Sequence, residues 1–127
     1  MLYISYKIGL FVQNINHMYY KEIDVKFRDP NTLAMALYPF LLVSKDLPFR
    51  QYNRVVSHEL IHFKQQKELL IILFYIIYGI EWMVKRFKYS SWDEAYRNIS
   101  FEREAYANER NFTYYKTRPF WGWIKYL

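Results

Sequence analysis

The spacing of apolar and polar positions along this chain changes character near residue 46. Before it, "LYISYKIGLF" at residues 2–11 mixes β-branched with aromatic residues, and "IDVKF" (Ile23–Phe27) alternates apolar with polar. A period of two is that of a strand with one face in a core. "DPN" at Asp29–Asn31 is a turn signal. Residues 1–45 therefore read as short antiparallel strands. Within them Leu33–Val43 is ambiguous: Leu and Ala favour a helix, whereas Pro39 in mid-run favours an edge strand. A strand entered from a short helical turn is expected there.

From residue 46 the spacing turns helical. Asp46 stands as a cap and Pro48 in the first turn, ahead of a helix from about Arg50 to about Lys67. "LLIILFYIIYGI" (Leu69–Ile80) follows and is apolar on every side, so periodicity leaves open whether the helix runs on to Lys88 or breaks near Glu68. Even counted through Val84 this run falls short of the about 20 residues that cross a bilayer. A buried core helix is expected, ahead of an interfacial one flanked by Lys85, Arg86 and Lys88. Ser91 and Glu94 form a capping box, Ser100 recaps a helix over "FEREAYANERNFTYY", and Pro119 ends the pattern. The expected fold is α+β in one domain, 1–127. It comprises a strand region (1–45), two helical regions (46–88 and 91–118) and an aromatic tail (119–127).

Composition narrows the chemistry. An apolar share of 53% and an aromatic share of 22% exclude a disordered chain. With no cysteine, disulfides, thiolate metal sites and cysteine nucleophiles are all excluded, so any metal must sit on nitrogen and oxygen. A net charge of +6 suits an anionic partner, but the cations form no single run and no recognition motif appears, so nucleic acid is not an expected partner. The start "MLYISYKIGLF" carries no small-residue cleavage site, and a cytoplasmic or virion-associated location is expected over export. In the tail, Trp121 and Trp123 alternate with cations as at bilayer interfaces; folding back over the core is the expected alternative. Peripheral membrane contact, through Leu69–Val84 or this tail, follows as a candidate partnership.

Two of the three histidines lie in "SHELIHFKQQ" (Ser57–Gln66). On a helix, residues four apart are neighbours, so His58 and His62 point the same way and can share one ion. Glu59 stands about 100° round the helix from His58, beside such an ion without being bound to it, where a carboxylate can take a proton from water. A catalytic zinc usually has three protein ligands and an open position. His17, in the strand region, reads as a surface or hydrogen-bonded residue. The carboxylates of "SFEREAYANE" are better placed: Glu102, Ala105, Tyr106 and Glu109 share one helical face, whereas Glu104 and Asn108 lie on nearly the opposite one. One of Glu102 and Glu104 is expected to face the metal.

Together, "VVSHELIHFK" and "FEREAY" make Val55–Glu109 resemble a small gluzincin, the zincin group in which HExxH supplies two histidines and a later helix supplies a glutamate. The trailing Gln65 gives "HExxHxxQ", similar to compact bacterial and phage proteins of this kind. "FEREAY" resembles the E-x-x-A-[D/N] segment, which implies that Glu102 is the third ligand, although Tyr106 stands where that segment has Asp or Asn and Lys64 replaces the usual apolar residue. The resemblance implies one Zn2+ per chain on His58, His62 and Glu102, with Glu59 as general base in peptide-bond hydrolysis. Gln65, Tyr106 and Glu109 are candidates for supporting the ligands, and Tyr106 or Tyr114 for donating to an oxyanion. It also implies an extended substrate along a sheet edge at Tyr38–Lys45. The competing expectation is a non-catalytic module of the same fold, associated with a membrane or a phage particle.

Overall fold

In a computed structural model the backbone is described for residues 12–15 and 18–127 and the side chains from Tyr20 onward. The proposed strand at residues 2–11, the chain start and His17 lie outside the described residues. The architecture is α+β. Strands β1 (Val12–Ile15), β2 (Met18–Val25), β3 (Ala34–Leu37) and β4 (Phe40–Ser44) form a sheet of order β1-β2-β4-β3. They are followed by α1 (Phe49–Glu68), α2 (Ile72–Lys88), α3 (Trp92–Arg97), α4 (Ser100–Asn108), α5 (Tyr114–Thr117) and a closing 3-10 helix, Gly122–Tyr126.

The sheet is mixed, which corrects the all-antiparallel expectation. β1 with β2 and β3 with β4 are antiparallel, but β2 and β4 run parallel, with Ile23 opposite Leu42. The reason is the hairpin hidden in Leu33–Val43, where two strands replace the single one expected: Pro39, in a cis peptide after Tyr38, sits in the turn between them. The returning strand β4 inserts between β2 and β3, so Tyr38–Lys45 is mostly an interior strand and cannot receive a substrate as an edge. Among the described residues the edge strands are β1 and β3, and β3 is the one beside α1.

Helix α1 crosses the sheet. Tyr20, Leu41 and Val43 of the sheet close on Val56, Leu60, Ile61 and Phe63 of α1, with Ala105 and Tyr115 from behind. Each wholly buried Ile or Phe here contributes about 1.5–3 kcal/mol. Every residue from Val55 to Phe63 is buried, so both histidines of the motif lie in the interior. Capping differs from expectation: Pro48 takes the N-cap position, while the Asp46 N–H bonds the Ser44 hydroxyl.

The chain breaks just after Glu68. Leu70 and Ile71 adopt positive φ (53° and 61°), a backbone that costs L residues about 1–3 kcal/mol each. The turn seats Leu69 in a second cluster with Phe74, Ile99, Phe101 and Trp123. The expectation of a buried core helix over Leu69–Val84 is thereby corrected. Only Phe74 of α2 is buried, and much of its apolar surface faces outward. One inner-facing charge has a specific use: the Glu81 carboxylate accepts the Ser100 N–H and hydroxyl, capping α4 in place of the expected Ser100 self-cap. The Ser91–Glu94 cap of α3 forms, with the Glu94 N–H 3.1 Å from the Ser91 hydroxyl. The long helix expected from Ser100 stops at Asn108 and resumes as the short α5. Trp123 packs on Phe101, so this part of the tail folds back over the core.

Candidate metal centre

Three side chains from two helices converge at the junction of α1 and α4. His58 and His62, one turn apart on α1, face Glu102 in the first turn of α4, and all three are buried. The two Nε2 atoms stand 3.1 Å apart; Glu102 Oε2 is 3.2 Å from His58 Nε2 and Glu102 Oε1 3.3 Å from His62 Nε2. Donors about 2.0–2.1 Å from a tetrahedral zinc stand roughly 3.3 Å from one another. The two imidazole nitrogens, and the carboxylate through one oxygen towards each of them, are spaced as zinc donors are, and one donor atom from each of the three residues lies within 4.8 Å of the others, in nitrogen and oxygen chemistry that suits the ion.

The outer nitrogens explain the orientation of both rings. His58 Nδ1 lies 3.0 Å from Glu109 Oε2, and His62 Nδ1 lies 2.7 Å from Gln65 Oε1. An acceptor at each Nδ1 places the proton there and turns the lone pair of each Nε2 towards the shared point, the arrangement that commonly supports metal-bound histidine. Both acceptors are themselves held. Arg54 pairs with Glu109 at 3.2 Å, one turn before His58 on the same helix. The Gln65 amide nitrogen donates to Glu104 Oε2 at 2.7 Å and to the Phe101 carbonyl at 3.1 Å.

Glu102 and Glu104 serve different ends. Glu104 is wholly buried on the far side of α4, where the Arg118 guanidinium grips it through Nε at 2.8 Å and a second nitrogen at 2.9 Å. Arg118 also pairs with Glu68 at the end of α1. Gly122 comes so near that an added Cβ would stand 2.5 Å from Glu104 Oε1. Glu104 thus ties α1, α4 and the tail together, and Tyr114, named above as an oxyanion donor, is bound to it at 3.1 Å and does not line the cleft.

Charge balance follows the same geometry. Burial opposes a charged His58, yet its bonds to Glu102 and Glu109, with the Glu59 charge nearby, push its pKa up to about 10. Burial likewise opposes a charged His62, and Glu102 outweighs it to raise that pKa as well. Glu102 is driven the other way: burial favours its neutral form, but the two imidazoles hold it well below the ordinary carboxylate range. Metal-free, the cluster holds protons where a dication would sit.

A cleft of about 650 Å³ opens over these residues. Its walls are the β3 strand, α1 from Arg54 to Gln66, the inner side of α2 and the ends of α3 and α4. Glu59 lines it, buried, with its carboxylate bonded to the backbone of Ala36; burial raises its pKa, partly offset by His62 and His58. Tyr106 lies edge-on to His58 at 4.6 Å, under the Arg97 guanidinium. Three features escaped sequence reasoning. The Tyr78 hydroxyl donates to Glu102 Oε1 at 2.8 Å, and Tyr96 comes within hydrogen-bonding reach of Tyr78 and Tyr106. Gln66 clamps the strand, its amide nitrogen donating to the Ala36 carbonyl at 2.8 Å and its oxygen accepting the Tyr38 N–H at 2.9 Å. Inward spacing on α2, with Phe74, Tyr78, Glu81 and Trp82 on one side, was the available signal for Tyr78. For Tyr96 and Gln66 the string held none. No family model, curated protein or solved structure matches this chain.

Proposed function

We propose that the chain is a zinc-dependent metallopeptidase of gluzincin type. His58, His62 and Glu102 would bind one zinc per chain, and Glu59 would act as general base. The observation that carries this is the convergence of two Nε2 atoms and one buried carboxylate, with each Nδ1 held from behind. Bound zinc supplies Lewis-acid polarisation of a carbonyl and acidifies water to a pKa of about 7. Glu59, its pKa raised by burial, takes a proton on its carboxylate and returns it to the leaving amine. One hydrogen bond to Ala36 leaves it oxygen lone pairs for this task. Tyr78 orients the Glu102 carboxylate, and Glu109 and Gln65 fix the two imidazoles. A peptide substrate is supported by the free edge of β3 in the cleft wall, where an extended chain can add main-chain hydrogen bonds. Ala36 is already engaged by Gln66, so pairing falls to Ala34, two residues back on the same edge.

That engagement also favours a second reading, a metal centre retained without hydrolysis, because Glu59 and Gln66 both bond the Ala36 backbone that an added strand would need. Metal content and digestion of a peptide library, wild type against Glu59→Gln, separate the two. The proposal expects about one zinc in both proteins and a 10²–10⁴-fold loss of cleavage in the variant, roughly the range of a lost acid–base group. Zinc in both with cleavage in neither would establish the second reading. A folded, zinc-free wild type would overturn both.

A further inference from the structure

Helix α2 carries an apolar face that no described element covers. Ile72, Leu73, Ile76, Ile80, Met83, Val84 and Phe87 are each between 48% and 94% exposed. At about 100° per residue these seven positions fall within an arc of roughly 120° with no polar residue among them. Arg86 and Lys88 stand on opposite flanks of that arc, each about 100° from its centre. The single acidic residue of α2, Glu81, is turned inward to cap α4. The outward surface of the helix is thus an apolar strip that ends, in its last turn, between two positive charges.

We propose that this face docks on an anionic lipid bilayer, with α2 lying in the plane of the interface. Charge complementarity selects the occupant. A second copy laid on the strip in either direction would offer Arg86 and Lys88 no outward acid of α2, whose first turn carries none, whereas anionic headgroups meet both cations at once. Among the described residues no helix is long and apolar enough to cross a membrane, consistent with a helix that lies on the surface. Of the two tryptophans considered as anchors in the tail, Trp123 is buried and Trp121 half exposed, so α2 offers the longer continuous apolar contact. The inner side of α2, through Phe74, Tyr75 and Tyr78, forms one wall of the cleft. Docking therefore brings the cleft next to the bilayer, whatever reaction it performs.

The test is flotation of the full chain with phosphatidylcholine vesicles and with vesicles containing phosphatidylglycerol, alongside size-exclusion chromatography. The wild type is expected to float with the anionic vesicles and remain behind with the neutral ones. Ile76→Glu with Ile80→Glu, both at exposed positions, should abolish flotation while leaving the far-ultraviolet spectrum unchanged. Arg86→Gln with Lys88→Gln should weaken it by about fivefold for each charge removed. A wild type that ignores anionic vesicles overturns the proposal, and so does one that elutes as a dimer made monomeric by the glutamates. Equal binding by the glutamate variant does the same.

Discussion

Glu102 and Glu104 are two residues apart and both buried, yet replacing each by glutamine should break a different thing. Glu102→Gln keeps the shape but removes the charge and turns one carboxylate oxygen into an N–H2 donor facing the imidazole nitrogens 3.2–3.3 Å away. Zinc sites of four ligands bind with about 10–16 kcal/mol, so one ligand in four is worth roughly 3–4 kcal/mol, or 10²–10³-fold in affinity. Glu104→Gln instead strips Arg118, whose side chain is 2% exposed, of one of its two charge partners and leaves it Glu68; breaking a buried pair typically costs about 3–5 kcal/mol, and the surviving Glu68 pair keeps the loss near the low end, about 3 kcal/mol of stability. For a chain of this size that is a fall in melting temperature of roughly 10 °C. The assay is competition for zinc against a chromophoric chelator, with thermal unfolding of the metal-free proteins in parallel. Glu102→Gln should lose zinc while melting within a few degrees of wild type; Glu104→Gln should melt early yet bind zinc while folded. Zinc affinity unchanged in Glu102→Gln and lost in folded Glu104→Gln would refute the assignment of the third ligand.

Two further outcomes follow from the same cluster. Glu109→Ala and Gln65→Ala each release one Nδ1, and each should weaken zinc binding by about 10–100-fold, measured by the same competition; equal affinity would mean that the rings are held by packing alone. In metal-free protein the raised pKa of His58 means the native state keeps a proton that the unfolded chain releases near pH 6.5. Its stabilisation is full below about pH 6.5 and is lost as pH rises through about 10, so the metal-free melting temperature should fall over that window. The depressed pKa of Glu102 acts at the other end, its share present above the ordinary glutamate value and lost in acid. The rise in melting temperature produced by chelator-buffered zinc should grow with pH, because the ion displaces those protons. A metal-free melting temperature that climbs from pH 6.5 to 9 would contradict this balance.

The motif was legible because helical spacing is a local property. The four-residue spacing of His58 and His62 fixes their common direction wherever the helix lies, and the apolar residues between them favoured a packed α1. The face shared by Glu102, Ala105 and Glu109 was readable on the same ground, as were the Asp29 turn and the Ser91 cap. Elements whose outcome depended on distant partners were misread. Pro39 became a hairpin turn because β4 pairs with β2 on its other side, and the run after Leu69 emerged with an exposed face because its inward positions already satisfied the second cluster.

By itself, then, the sequence determined the local geometry: helix against strand, which side chains share a face, and a donor chemistry confined to nitrogen and oxygen. Tertiary structure decided everything that requires two segments to meet. It turned Glu102 to the histidines and Glu104 to Arg118, set Tyr78 on the Glu102 carboxylate, made β3 an edge strand beside α1 and left the outer side of α2 uncovered by any described element. The physical reason is that a helix fixes directions about its own axis only, while which neighbour lies in each direction is settled by how the whole chain packs.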